Sequence, residues 1–431
     1  MTSSGPVDAQ PAWNRAVAGV LVAFLFVLPF SSNAALRNAL LGFAAACVLY
    51  GSAKGMVARP RLPSWRVLAP ILAYGAWSIA SVAWSVEPAY SLSELRPGLL
   101  YPFIAFLAFF AATPSVAAID RWAWSLSAGL AALGLVAGAE LVLDGWWDPQ
   151  RWHSDAGYYA THVVLALPLL AWAFLRAGTA FRGARVVLAA VAVLTLVVTS
   201  WNDNRIAWVA LAAMTLLAVF LSRASLAGPL RSQVVAFTAA ALIAFSALFV
   251  LSIQQRTTKL EHTEQAAEAQ LSRDPRLAIW DHAARLNGEA PWIGHGYGRG
   301  ILRQQFRNGV SPGVDNPLYT HAHNTPINVL LQGGAIGLGL FAWMVAALVR
   351  EMAAGLKAGP PRRCAATLGL VLVAGFAIRN MTDDFLVRHS ALLAWSLAGA
   401  ILGALRPAPA PVVSGTASDT AGTATSARTP A

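Results

Sequence analysis

The chain has 431 residues, of which 57% are hydrophobic and only 12% charged, with a net charge of +11. So few charges cannot cover so much apolar surface in water, which excludes a soluble globular domain and points to a chain solvated largely by lipid. The positive balance raises nucleic acid as a partner, but the basic residues are spread in the alternating pattern of membrane topology, so no nucleic-acid role follows.

Twelve apolar segments are expected, near 14–32, 36–52, 67–84, 97–113, 122–143, 160–177, 186–201, 206–222, 234–252, 326–349, 364–381 and 389–405. A helix of about 20 residues spans the hydrocarbon core, and each segment reaches this with its flanks. Arg15, the apolar run Ala16–Phe30 and "SSNAA" resemble a signal peptide, but the many later spans favour a first transmembrane helix. Cys47 lies in an apolar run and Cys364 beside a basic loop, so no disulfide framework is expected.

Alternate loops carry the Lys and Arg excess, as in Lys54–Arg66, Arg176–Arg185 and Arg350–Arg363, and these are assigned to the cytoplasm with both termini. The long polar loop 253–325 then lies outside, and all eight histidines fall in the outer half. The expected division is spans one to nine over 1–252, a helical outer module over 253–325, spans ten to twelve over 326–405, and a disordered Pro/Ala/Ser/Thr tail over 406–431.

The outer loop between spans seven and eight, "WNDNR", ends in Arg205, a cation on the side that positive-inside bias disfavours. An arginine at a membrane edge has a partner, here either Asp203 or an anionic ligand, or it snorkels to water. Within the outer module, 256–271 has helical composition. "DPRLAIWDHAARLNGE" reads as a better helix, capped by Asp274, with Pro275 at its first position. Arg276 in the first turn opposes the helix dipole, which a fixed anion would explain. "PWIGHGYGRGILRQQF" follows, with glycine at 294, 296, 298 and 300. Such a loop either wraps a phosphate with backbone N–H groups or simply turns tightly.

"YTHAHNTPINVLLQGGAIGLG" (319–339) opens span ten. Thr325 is the expected cap and Pro326 the first helical residue. The helix N-terminus and nearby arginines favour a neutral imidazole at His323, which can accept a proton from a hydroxyl. Two other readings stay open: an interfacial histidine that only hydrogen-bonds, and a zinc pair of His321 and His323 completed by His295 or Asp315. Gly333, Gly334, Gly337 and Gly339 suit close helix packing. In "IRNMTDDFLVRH", Arg379, Asp383, Asp384, Arg388 and His389 form a charged network or orient an acceptor.

His323-Asn324, nine residues, Gly334, two residues and Gly337 resemble the His-Asn/Ser/Gln-x9-Gly-x2-Gly/Thr/Tyr pattern of bacterial O-antigen ligases, within the superfamily that includes O-antigen polymerases and protein O-oligosaccharyltransferases. The many spans, the long outer loop before span ten, Arg205 after span seven, and "RLAIWDHAARL" followed by "PWIGHGYG" look alike too. The resemblance implies an all-α, glycosyltransferase C-like membrane enzyme, metal-independent, inverting and without a cofactor. Its donor would be an undecaprenyl-diphosphate-linked O-antigen and its acceptor a lipid A–core sugar hydroxyl, at the periplasmic face of a Gram-negative inner membrane among membrane lipids. It carries a base role to His323 and diphosphate binding to Arg205 and Arg276. Asn324, Tyr297, Arg379, Asp383, Asp384 and Arg388 are acceptor-site or supporting candidates, and His321 has no assigned task. The rivals are an O-antigen polymerase, a protein-glycosylating relative and a lipid-linked glycan flippase. The last would be expected to bury charge deep in broken helices, often with inverted repeats.

Overall fold

The computed structural model describes residues 12–54, 62–145, 147–177, 183–201, 204–223, 243, 245–247, 250, 275–303 and 320–406. The helices are α1 Ala12–Val27, α2 Ala34–Ala53, α3 Trp65–Ala80, α4 Pro88–Leu95, α5 Tyr101–Ala112, α6 Ile119–Leu143, α7 Pro149–His153, α8 Ala156–Arg176, α9 Ala184–Trp201, α10 Arg205–Ser222, α11 Pro275–Glu289, α12 Thr325–Gly355, α13 Pro360–Asn380 and α14 Arg388–Leu405. No strand occurs among the described residues. Nine described stretches are long and apolar enough to cross a membrane, and the protein is an all-α polytopic membrane protein.

Nine of the twelve expected segments correspond to these stretches; α1 is shorter, at 16 residues, and α14 lies outside the set. Segment 234–252 lies almost wholly outside the described residues, as do the expected helix 256–271, the Asp274 cap, Asp203, Asp315 and the tail beyond 406. One boundary moves substantially. The stretch expected from residue 97 begins at Pro88, because α4 runs through a π-helical turn at Arg96–Leu100 into α5. Ser91, Ser93 and Glu94 break the apolar run there, so hydropathy reads this first part as loop.

Between helices in lipid, close van der Waals packing replaces the hydrophobic effect as the adhesive. The α14–α5 seam shows how small residues permit it. A Cβ on Gly399 would sit 2.2 Å from the Phe106 carbonyl oxygen, and one on Gly403 would sit 2.5 Å from that of Phe110. Elsewhere α12 packs on α3, α10 on α13, and α6 on α8, α9 and α1. Buried Trp122 meets Phe109 edge-on at 4.9 Å, and its indole donates to Thr113 Oγ1 at 2.9 Å, so its polar atom is satisfied within the core.

α12 is two helices joined at a break. Gly334 has φ 63° and ψ −165°, a conformation that favours glycine, and the backbone of Trp292 lies where a Cβ would stand. The break frees carbonyls that the glycine loop and α3 then use. His295 N–H donates to Leu331 O (2.8 Å), Gly296 N–H to Gln332 O (3.0 Å), and Trp77 Nε1 to Gly333 O (2.9 Å). The glycines of this helix divide accordingly: Gly333 and Gly337 admit the Trp77 ring, as small packing residues should, whereas Gly334 makes the break.

Candidate active site

The site grows from the start of α12. Asn324, not the expected Thr325, is the cap: its Oδ1 accepts from Ile327 N–H at 3.0 Å, while its Nδ2 donates to the Met381 carbonyl at 3.0 Å. Thr325 is buried and turned inward, its hydroxyl 2.7 Å from Asn380 Oδ1 and 2.9 Å from Asp384 Oδ1. His323 itself holds φ 48°, a left-handed conformation costly for a non-glycine residue. Strain of this kind persists where the surroundings over-determine it, and it clusters at functional sites.

The turn between α13 and α14 brings the two acids to this helix start and separates their tasks. Asp384 is buried, accepts from Asn328 Nδ2 (2.5 Å) and Leu386 N–H (3.2 Å), and so ties the turn to α12. Asp383 faces the histidines. Its Oδ1 lies 2.8 Å from His321 Nε2 and 3.3 Å from His323 Nδ1, and the two rings are 3.9 Å apart between centroids. Burial opposes the Asp383 charge, but hydrogen bonds from both histidines outweigh it and hold the carboxyl well below the usual carboxylate range. Burial lowers the basicity of His321 more than the Asp383 hydrogen bond raises it, with Arg299 and His323 adding to the lowering.

The glycine loop supplies the next wall. Gly294, Gly296 and Gly298 all have positive φ, and Cβ atoms on them would meet Gln332, Ser85 and Tyr90 respectively at 2.6 Å or less. The N–H groups of Gly294, His295, Gly296, Gly298 and Gly300 donate to Ala290, Leu331, Gln332, the Gln332 side chain and Tyr90. They are therefore used by the protein, and the phosphate-cradle reading of this loop gives way to the tight turn. What the loop presents is Tyr297, half-buried in the cavity wall with its hydroxyl pushed well up from its ordinary pKa by desolvation, and Arg299. Burial works against the Arg299 charge, but the surrounding acidic groups raise its pKa further, so it is a fixed cation. Arg299 Nη2 lies 2.7 Å from His321 Nε2 and 3.5 Å from Asp383 Oδ1. A ring nitrogen that donates to the carboxylate cannot also accept from a guanidinium, so we assign the proton on His321 Nε2 to Asp383, with Arg299 sharing that carboxylate.

A cavity of about 1090 Å³ adjoins this cluster. Its wall combines apolar residues of the spans, such as Ile71, Phe103, Met344 and Trp395, with Arg96, Arg299, Arg303, Arg388, Tyr297 and His321. His321 lines it directly, and the His323 ring lies 3.9 Å from that ring between centroids.

Arg205 and Arg276 are not in the cavity wall; both sit in the first turns of their helices, near Arg379. Arg379 is buried and donates to Asn204 Oδ1 (2.6 Å), Thr161 Oγ1 (3.0 Å) and the Gly157 carbonyl (3.0 Å). It thus holds the residue before Arg205, and it lies within electrostatic reach of both Arg276 and Asp383. Asp383 therefore feels two cations, Arg379 and, at 3.5 Å, Arg299. Arg299 was not singled out from the sequence. Like Arg205, it is a cation in a segment expected on the outer side.

His321, His323 and Asp383 bring ligand atoms within 4.8 Å of one another, a spacing that suits a divalent ion. The Arg299 guanidinium lies 2.7 Å from one of these rings and 3.5 Å from the carboxylate, so a divalent ion there would stand beside a second cation. His295, one of the two residues offered to complete a zinc pair, instead places Nε2 on the Leu286 carbonyl at 2.9 Å.

A comparison with curated proteins finds no match. The family model described as O-antigen ligase matches residues 190–342, which run from α9 into α12 and include Arg205, Arg276, Tyr297, Arg299, His321 and His323. Over that stretch the chain is similar to the O-antigen ligase family.

Proposed function

We propose that the protein is an O-antigen ligase. It moves a glycan from undecaprenyl diphosphate to a sugar hydroxyl of lipid A–core, at the periplasmic face of the bacterial inner membrane. The observation that carries this reading is the Asp383 carboxylate set against two histidine rings beside a cavity that is apolar along the spans and cationic at the loops. That combination suits a lipid-anchored anionic substrate, and it puts an oriented imidazole beside it.

In the reaction, the acceptor oxygen attacks the anomeric carbon from the face opposite the diphosphate, which inverts the configuration. The bond from that carbon to the phosphate oxygen breaks, and its electron pair stays on undecaprenyl diphosphate. The hydroxyl proton passes to His323. Asp383 receives His323 Nδ1–H, fixes the tautomer with the lone pair on Nε2, and stabilises the imidazolium as it forms. Arg205 and Arg276 bind the diphosphate and stabilise the charge that grows on it, which lowers the barrier only as far as they bind the transition state more tightly than the ground state. Arg379 positions Asn204, and through it Arg205. Asn324 caps the helix that sets His323; Tyr297, Asp384 and Arg388 shape the acceptor side.

A purified sample offered lipid A–core and lipid-linked repeat units as competing acceptors tests this reading. Transfer to lipid A–core is expected, and preferential elongation of the lipid-linked repeat would make the protein a polymerase.

A further inference from the structure

A second polar cluster is buried at the same end of the bundle and takes no part in the reaction above. It joins Arg37 of α2, His153 of α7, Tyr158 and His162 of α8, and His389 and Ser390 of α14. His153 stands 4.8 Å from His389 and 5.2 Å from His162 between ring centroids, and Tyr158 stands 5.0 Å from His389. Arg37 is only 7% exposed, and its Nε and Nη1 have no hydrogen-bond partner. The same holds for His153 Nε2, both nitrogens of His162, His389 Nε2, the Tyr158 hydroxyl and the Ser390 hydroxyl. The charge that bears on Arg37 is that of Arg388, another cation. Those that bear most on His389 are His153, Arg37, His162 and Arg388.

A guanidinium does not deprotonate in a protein, and a buried one without a counter-ion is strongly unfavourable. An intramembrane or membrane-edge arginine is accordingly paired. Arg388 lines the active-site cavity, so the cluster lies at the level of the loops, where lipid headgroups lie. The donors suit an oxyanion: the Arg37 N–H groups, two hydroxyls and an N–H of His162. His153 gives Nδ1–H to the Pro29 carbonyl, so its Nε2 carries a lone pair that matches a protonated phosphate oxygen. We infer that Arg37, with His153, His162, Tyr158, His389 and Ser390, forms a subsite for a phosphate-class oxyanion carried on a lipid headgroup. The subsite adjoins the catalytic cluster through Tyr158, whose ring lies 5.9 Å from the Arg299 guanidinium, but its test reads lipid-dependent melting and not transfer, so its fate and that of the catalytic reading are separable.

The test is thermal unfolding of the full chain in lipid-free, phosphate-free detergent, with three probes: phosphatidic acid, diacylglycerol of the same chains, and inorganic phosphate. Phosphatidic acid should raise the midpoint of the wild type by roughly 2–4 °C, and diacylglycerol should not. Arg37→Gln should lose that rise, and an equal rise in the variant overturns the proposal. An equal rise with inorganic phosphate overturns the lipid source and keeps the oxyanion site. Arg37→Leu guards against a variant that fails to fold. In the same lipid-free buffer it should melt at or above the wild type, because it removes an uncompensated charge. A large drop there means that the protein itself satisfies the guanidinium, and the subsite does not exist.

Discussion

Asp383 and Asp384 are chemically identical neighbours with different surroundings, and the variants should separate them. Asp383→Asn keeps the shape of the side chain but can no longer fix the His323 tautomer, so transfer should fall by about 100- to 10,000-fold with normal insertion. Asp384→Asn removes a charge tied to Asn328 and Leu386, so its main loss should appear in the melting midpoint. Which acid faces the histidines was not legible in "MTDDFLVRH", because the direction of each side chain is set by the turn, and adjacent positions carry no periodic signal. The place of His323 at the start of α12 was legible from its spacing to Gly334 and Gly337; the position of His321 as its ring neighbour and cavity wall is three-dimensional. A pH test belongs at this scale too. Burial first, and the Arg37 charge after it, lower His153 to about 4. The unfolded chain, with an ordinary histidine value near 6.5, then binds the proton more readily. Stability from the neutral buried ring is present above about pH 6.5 and is lost as pH falls towards about 4. Melting in phosphate-free buffer should show this acid decline, and His153→Gln should flatten it.

The break in α12 is the element on which the site depends. Gly334→Ala puts a Cβ against the Trp292 backbone in a conformation that costs an ordinary residue on the order of 1–3 kcal/mol. It should undock the 291–299 loop, displace Tyr297 and Arg299, and abolish transfer while the span bundle stays inserted. Gly339→Ala is the internal contrast. Nothing lies within 4 Å of a Cβ there, and the variant should be neutral or gain about 0.5–1 kcal/mol. Thermal midpoints of the two variants decide the point; equal midpoints would mean that the break has no structural role. Helix existence and the proline near the start of α12 were readable from composition and caps. The break was not, because Gly-Gly inside an apolar run reads equally well as a packing face. Asn324 took the cap from Thr325 because the threonine hydroxyl is drawn inward to Asn380 and Asp384.

At the scale of the whole molecule, hydropathy made the spans legible because lipid forces every spanning segment to be helical and apolar. It missed Pro88–Leu95, where serines and a glutamate enter the stretch, and it gave no view of the cavity, which segments distant in sequence build together. Arg299 lies beside both His321 and Asp383, where a divalent ion would meet a second cation, so transfer should proceed unchanged in EDTA; loss of activity restored by a divalent ion would contradict metal-independent transfer. The most direct measurement is glycan transfer in proteoliposomes holding undecaprenyl-diphosphate-linked glycan and lipid A–core, run with the wild type and with His323→Ala inserted to the same level. Transfer by the wild type and none by the variant is expected, and full transfer by the variant would rule out His323 as the base.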